Sequence, residues 1–165
     1  MYSYYFDENR ISGNGVLLSE NNTQVKITGA NTNIKMNTFA RKSDFVIEFT
    51  LKTKGDLAIG IGNEDYSTRT RYLGYYSTGF DIGVGHGKIH HKASEVKTIT
   101  GYRNSIVGDI LAIKVLRDTK QAIFYRNGSI VGDYTFTFDF TDLIVEIGNG
   151  TNIGGEVQIS YDSIY

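Results

Sequence analysis

The chain has 165 residues, with 17 lysines and arginines against 18 aspartates and glutamates, a formal charge of -1, and no proline, cysteine or tryptophan. That length suits one domain, 1–165, with a single sizeable core, and the even charge balance with no basic run gives no reason to expect a nucleic-acid partner. Absent cysteines exclude disulfides and thiolate metal sites; the start, "MYSYYFDENR", lacks a basic region followed by an apolar run, and no stretch approaches the ~18 apolar residues of a membrane-spanning helix, so a soluble chain without membrane insertion is expected.

The expected elements alternate with period two. After the turn signals "SGNG" and "TGANTN", the stretch "DFVIEFTLKT" sets Phe45, Ile47, Phe49 and Leu51 on one face and Val46, Glu48, Thr50 and Lys52 on the other, which predicts a strand with one face on a core. "DLAIGIG" repeats the pattern through Leu57, Ile59 and Ile61. "DILAIKVL" is apolar on both faces, Leu111, Ile113 and Val115 opposite Ile110, Ala112 and Leu116, as for a central strand covered on two sides. "AIFYRNGSIVGDY" then folds about Asn127 and Gly128, a pair suited to the two positive φ angles of a type I′ turn, with Phe124 expected in the core and Tyr125 on the outer surface. "DLIVEIGNG" and "GEVQISYDSIY" close the chain, alternating through Leu143, Val145, Ile147 and then Val157, Ile159 and Tyr161. No segment of ten or more residues has helical spacing. Many short strands between dense turn signals predict an all-β fold, an antiparallel two-sheet β-sandwich or a barrel.

The order "FVIEFTLKT", "LAIKVLRDTKQAIFYRNGSIVGD", "LIVEIGNG", "GEVQISYDSIY" resembles the second half of concanavalin A-like jelly rolls of the laminin G type. The segment from Tyr75 to Tyr134, with "GY", "GD" and "FY.NG" recurring in that order, is similar to the core of SPRY domains. The resemblance spans residues 44–165 and implies a concanavalin A-like jelly roll in which the terminal strand pairs beside an early one. It marks a fold, not a site.

Chemistry is sparse. Jelly-roll glycosidases of the retaining type need two carboxylates about 5 Å apart, hence acids at spacing two or four on an exposed strand face. Glu64 and Asp65 are adjacent, Asp139 and Asp142 fall in a loop, and no nucleophile elbow or phosphate cradle is present, so no catalytic residue is expected. In "GHGKIHHK", His86 and His90 would share a face of one strand with His91 opposite, and a metal would need a third ligand from elsewhere. Calcium is common among lectins of the resembled fold. Turn acids such as Asp65, Asp81 or Asp118 could supply oxygens, but their spacing shows no loop signature, so no cofactor is inferred.

The 12 tyrosines, beside abundant Asn, Gly, Ser and Thr, suit a surface that recognises by flat amphipathic contact and adaptable hydrogen bonds. They concentrate in "STRTRYLGYYSTGFD", with Arg69, Arg71, Tyr72, Tyr75 and Tyr76, and in "TGYRNS". The expected ligand contacts are Tyr76, Asp81, His86, Tyr102, Arg103 and Asn104. Together with the resemblance they predict a non-enzymatic, lectin-like module that recognises a glycan or other cell-surface ligand, extracellular or on a virion as a phage or viral attachment or decoration protein beside other particle proteins. The alternatives are a SPRY-like module that binds a protein segment and a glycoside hydrolase or lyase.

Overall fold

A computed structural model describes residues 4–37, 44–63, 74, 76–140, 143–150, 152 and 154–159. Its strands are β1 (Phe6–Ser12), β2 (Val16–Ser19), β3 (Gln24–Ile27), β4 (Asn33–Met36), β5 (Phe45–Thr53), β6 (Leu57–Asn63), β7 (Gly79–Val84), β8 (Lys88–His91) and β9 (Ser94–Thr98). A single helical turn, α1 (Thr100–Arg103), precedes β10 (Ile110–Leu116), β11 (Gln121–Arg126), β12 (Ser129–Thr135), β13 (Leu143–Gly148) and β14 (Glu156–Ile159). Sheet A has the order β1-β4-β13-β6-β7-β8-β9 and sheet B the order β12-β11-β10-β5-β14-β3-β2, with every pairing antiparallel. This is an all-β sandwich, as the alternation predicts, with the two antiparallel sheets that the resemblance implies.

The inner faces carry the apolar half of each alternation. Phe45, Ile47, Phe49 and Leu51 of β5 are buried with Leu111, Ile113 and Val115 of β10 and Phe124 of β11, opposite Leu57, Ile59 and Ile61 of β6 and Phe80, Ile82 and Val84 of β7. β14 lies between β5 and β3, so the last described strand is integral, with Val157 and Ile159 buried; Tyr161 lies outside the described residues, as do Glu64, Asp65, Arg69, Arg71, Tyr72, Tyr75 and Asp142. One expectation needs correction: β10 is not covered on both faces. Ala112 is buried, but Ile110 is 36% exposed, because the outer surface of sheet B opens to solvent at that end.

Where the chain crosses from β12 to β13, Phe136, Phe138 and Phe140 seal the sandwich. Their rings stand 5.0 to 5.1 Å apart in tilted and edge-on contacts, and Phe136 stacks on Phe80 at 5.8 Å. The spacing of two in "FTFDF" sends all three rings to one side of an extended segment. Each such ring pair adds about 0.5 to 1.5 kcal/mol beyond the area it buries.

The Asn-Gly hairpin has the expected geometry, with φ of 50° at Asn127 and 80° at Gly128. It is also clamped to the loop before β10. Asp109 accepts hydrogen bonds from the Ile106 amide (2.8 Å), Arg126 Nε (2.7 Å) and Asn127 Nδ2 (2.8 Å), and the side-chain Oδ1 of Asn127 accepts from the Ile110 amide at 2.9 Å. Burial pushes the Asp109 carboxyl up, but these three donors outweigh it and hold the acid below its ordinary range. Asp109→Ala is expected to cost about 2 to 4 kcal/mol in chemical denaturation, since it leaves Arg126 and the Ile106 amide without their acceptor. A depressed acid contributes stability above its unfolded pKa and loses it as pH falls through the folded one. The parent should therefore lose stability on acidification below about pH 4 more steeply than Asp109→Asn, and parallel melting curves for the two proteins would remove the clamp from that role.

Candidate functional site

On the outer face of sheet A, the strands at its centre are almost bare. The inward positions of β6 and β7 hold large apolar side chains, whereas the outward ones read Ala58, Gly60 and Gly62 against Gly83, Asp81 and Gly79 across the register. Glycine inside a strand weakens it unless something must approach closely. Here the absence of side chains leaves a trough that other groups largely cover: Gly60, Gly62, Gly79, Asp81 and Gly83 are buried and Ala58 half-buried, and Asp81 is the one long side chain rising from its floor. Across this row the sheet sets Lys35, Glu146, Gly60, Asp81 and His90 at successive register positions on β4, β13, β6, β7 and β8. Lys35, Glu146 and Asp81 are all buried. Opposite charges on directly opposed strand positions suit burial better than either would alone.

Asp81 is 1% exposed. Its Oδ1 accepts from His90 Nδ1 at 3.1 Å, while Oδ2 has no hydrogen-bond partner. The backbone of Gly74 lies against the Asp81 carboxyl and lowers its pKa somewhat, although no well-formed hydrogen bond reaches Oδ2, and a Cβ at Gly74 would collide with that oxygen. At the other end of the trough the His86 ring lies flat on Gly83, where any Cβ would fall inside it. The two imidazoles meet edge to face, with centroids 6.0 Å apart. Between them is a hollow of about 90 Å³, floored by Ala58 and Asp81, walled by His86 and His90, and rimmed by Asp56, Asn149 and Gly150. Asn149 is spent on structure, donating to the Gly29 and Asn152 carbonyls and accepting from the Thr32 amide. Asp56, half-buried, makes no hydrogen bond among the described residues.

Electrostatics follow from burial and pairing. Desolvation raises the Asp81 carboxyl above its ordinary 3.8, and the His90 hydrogen bond and charge offset this only in part. The same bond raises His90 above 6.5, against a smaller opposing effect of its burial. Burial lowers His86, and the neighbouring His90 lowers it further. Since His86 Nδ1 accepts from the Lys88 amide at 3.1 Å, the neutral ring carries its proton on Nε2.

Of the six expected contacts, the structure brings Asp81 and His86 into one hollow. Arg103 and Asn104 are exposed at the end of α1, whose Tyr102 carbonyl accepts from the Gly85 amide at 3.3 Å, so α1 adjoins the turn that carries His86. Tyr76 is half-buried on the same face of sheet A, packed on Ile144 two residues along β13 from the Asp81 row. Tyr102 is corrected: it is 0% exposed, its ring edge-on to Phe124 at 5.6 Å and its hydroxyl donated to the Ala112 carbonyl at 2.8 Å, so it is a core residue with no surface for a ligand. Asp81 is likewise not a turn acid but a strand residue. His86 and His90 do not share one strand; a turn separates them and folds them together. Among the described residues no group of three or more His, Cys, Asp or Glu has the geometry to hold a metal ion.

In the sequence His90 is weighed only as a metal ligand and not among the ligand contacts, which also leave out Asp56 and Asn149. His90 had a signal: an antiparallel hairpin centred on Gly85–His86 in "DIGVGHGKIH" pairs residue 81 with residue 90. Asp56 and Asn149 reach the hollow from turns distant in sequence, and nothing local announces them.

No sequence family matches the chain, and no curated protein matches it in sequence. Solved structures do. The SPRY domain of human HERC1 superposes with a TM-score of 0.77 at 14% identity, covering 97% of this chain and 99% of that one. The TRIM65 PSpry domain gives 0.72 at 12% identity, covering 96% and 90%. Stonustoxin gives 0.68 at 12%, covering 95% of this chain but 27% of that larger protein. The fold is thus the SPRY-like form of the concanavalin A-like jelly roll.

Resolved by NMR, His90 should titrate above 6.5 and His86 below it. In Asp81→Asn the raising partner becomes neutral while burial remains, so His90 should fall below 6.5. His90 and Asp81 each contribute stability that is lost as pH rises through their raised folded values. His86 runs the other way, its contribution growing with pH up to 6.5. A His90 value unmoved by Asp81→Asn would show that the pair is not what raises it.

Proposed function

We propose that this chain is a non-catalytic protein-interaction module that receives an extended segment of a partner along the outer face of sheet A. The observation that carries this reading is the trough: six consecutive outward positions on two paired central strands hold one long side chain between them, and that side chain is a buried acid with an unpartnered oxygen. The hollow left over it, about 90 Å³, accommodates a narrow, polar-tipped side chain of a segment that passes across the rim. The likeness to the HERC1 and TRIM65 SPRY domains supports it, since a SPRY-like fold implies a loop-bordered face for a protein segment. A glycan on a host or partner surface is the second reading, favoured by the exposed Arg103 and Asn104 beside the His86 turn, which suit sugar hydroxyls.

The two readings separate on the full chain. Panning a random-peptide library should select peptides of micromolar affinity that shift the amides of Ala58, Asp81, His86 and His90, whereas a glycan array should give no saturable signal. Ala58→Gln, which puts a longer side chain on the floor of the hollow without touching the inner face, should weaken those peptides about tenfold, roughly 1.4 kcal/mol, with an unchanged melting temperature. Glycan binding without peptide selection would transfer the function to the second reading. Peptides that shift the outer face of sheet B instead would move the site.

A further inference from the structure

The hollow beneath a bound segment has a definite chemistry. Its two carboxylates differ in setting but not in need. Asp81 is buried and offers an oxygen with no donor, and Asp56, half-buried at the rim, has no hydrogen-bond partner among the described residues. A buried acceptor without a donor is costly, and the cost is heavier for a charged group than for a neutral one. Donors already on the walls do not meet it: His90 Nδ1 is committed to Oδ1, and the His86 ring lies against Gly83.

We propose, resting on the protein-interaction reading above, that this hollow is a subsite for a cationic side chain of the partner, a lysine ammonium or an arginine guanidinium. Three features favour a cation over a neutral amide or a sugar hydroxyl. The available groups are acids on both floor and rim, so a positive group meets complementary charge at either depth. The volume, about 90 Å³, admits the last few atoms of such a side chain. One oxygen of Asp81 is held by His90 and the other, without a hydrogen-bond partner, is buried against Gly74, so the carboxylate acts on the hollow through its charge, which suits a compact ammonium as well as a guanidinium.

The groups around the hollow set its response to pH. Asp56, Asp81, His86 and His90 line it, the Lys88–Glu95 ion pair lies beside His90, and Lys54 reaches the β7–β8 turn at Gly85. When His90 is protonated it neutralises Asp81 and repels an incoming cation. Binding should therefore be full above the raised pKa of His90 and fall as pH drops through it.

The probes are n-butylammonium, n-butylguanidinium and the neutral n-butyramide, each titrated into the full chain while the ring signals of His86 and His90 are followed by NMR. At pH 8 one or both cations should move these signals saturably and n-butyramide should not. Affinity should fall at least about fivefold at pH 5.5, and about tenfold in Asp81→Asn, which removes the negative charge beneath the hollow. Asp56→Asn, a change at the rim that leaves the sheet untouched, should weaken the cations two- to threefold and serves if Asp81→Asn fails to fold. Equal response to n-butyramide, or no saturable response to either cation, overturns the subsite. Library-selected peptides that lack lysine and arginine and ignore Asp81→Asn and Asp56→Asn would also overturn it while leaving the interaction module standing. Saturation by a cation with no peptide selected would keep the charge chemistry of the hollow and remove the peptide reading instead.

Discussion

A β-strand can give only alternate residues to a core, and in this sandwich that constraint decides where everything else goes. β6 and β7 send Leu57, Ile59, Ile61, Phe80, Ile82 and Val84 inward, so whatever stands at Ala58, Gly60, Gly62, Gly79, Asp81 and Gly83 is released from packing duty. Most proteins fill such a solvent face with polar side chains of ordinary length. This chain withholds them. The centre of the outer face is then low enough for the Gly74 backbone and the His86 ring to lie directly on the sheet and bury it, leaving the hollow between the two histidines.

Placing Asp81 in that gap works against stability. A carboxylate with one hydrogen bond and negligible exposure carries a desolvation cost that a single imidazole does not cancel, as its raised pKa records. An asparagine or serine at the position would satisfy the same histidine at lower cost. Strain and unmet polar groups of this kind concentrate where a fold is shaped for a ligand, and a donor arriving from outside would relieve the cost at the moment of binding. The neighbouring Lys35 and Glu146, equally buried, stand at directly opposed strand positions with opposite charge, which is the arrangement a purely structural burial would take.

How much of this was legible in the sequence depends on range. The strands, the Asn127–Gly128 turn and the inward positions of β5 follow from contacts between near neighbours, which period-two alternation exposes, whereas the place of the last strand, paired with β3 and β5 far away in sequence, follows only from the resemblance. "LAIGIG" and "GFDIGV" also held the trough in plain view, large and small residues alternating, but the inward set was read and the outward gap was not. Tyr102 was misplaced for the opposite reason. A tyrosine between Gly101 and Arg103, in a short run bounded by threonine and asparagine, looks like a surface loop, and only a carbonyl ten residues away, on β10, explains why its hydroxyl can be buried. Asp56 and Asn149 meet the hollow from turns at opposite ends of the chain's course, and no local pattern encodes such a meeting.

Tyr102 nonetheless matters to the site it does not touch. Its ring is fixed by Phe124 and its hydroxyl by β10, both in sheet B, while its carbonyl accepts from Gly85 in the turn that ends β7 of sheet A. α1 is therefore a strut between the two sheets, and the turn it braces is the one that lays His86 over Gly83. Gly87 repeats the contact from the far side of that turn, its amide bonded to the Gly83 carbonyl and its own carbonyl accepting from Ile99. One wall of the hollow is thereby referenced to the core of the opposite sheet rather than to its own strand ends, and a loop held in this way can present an imidazole at a fixed depth although no regular element of any length supports it.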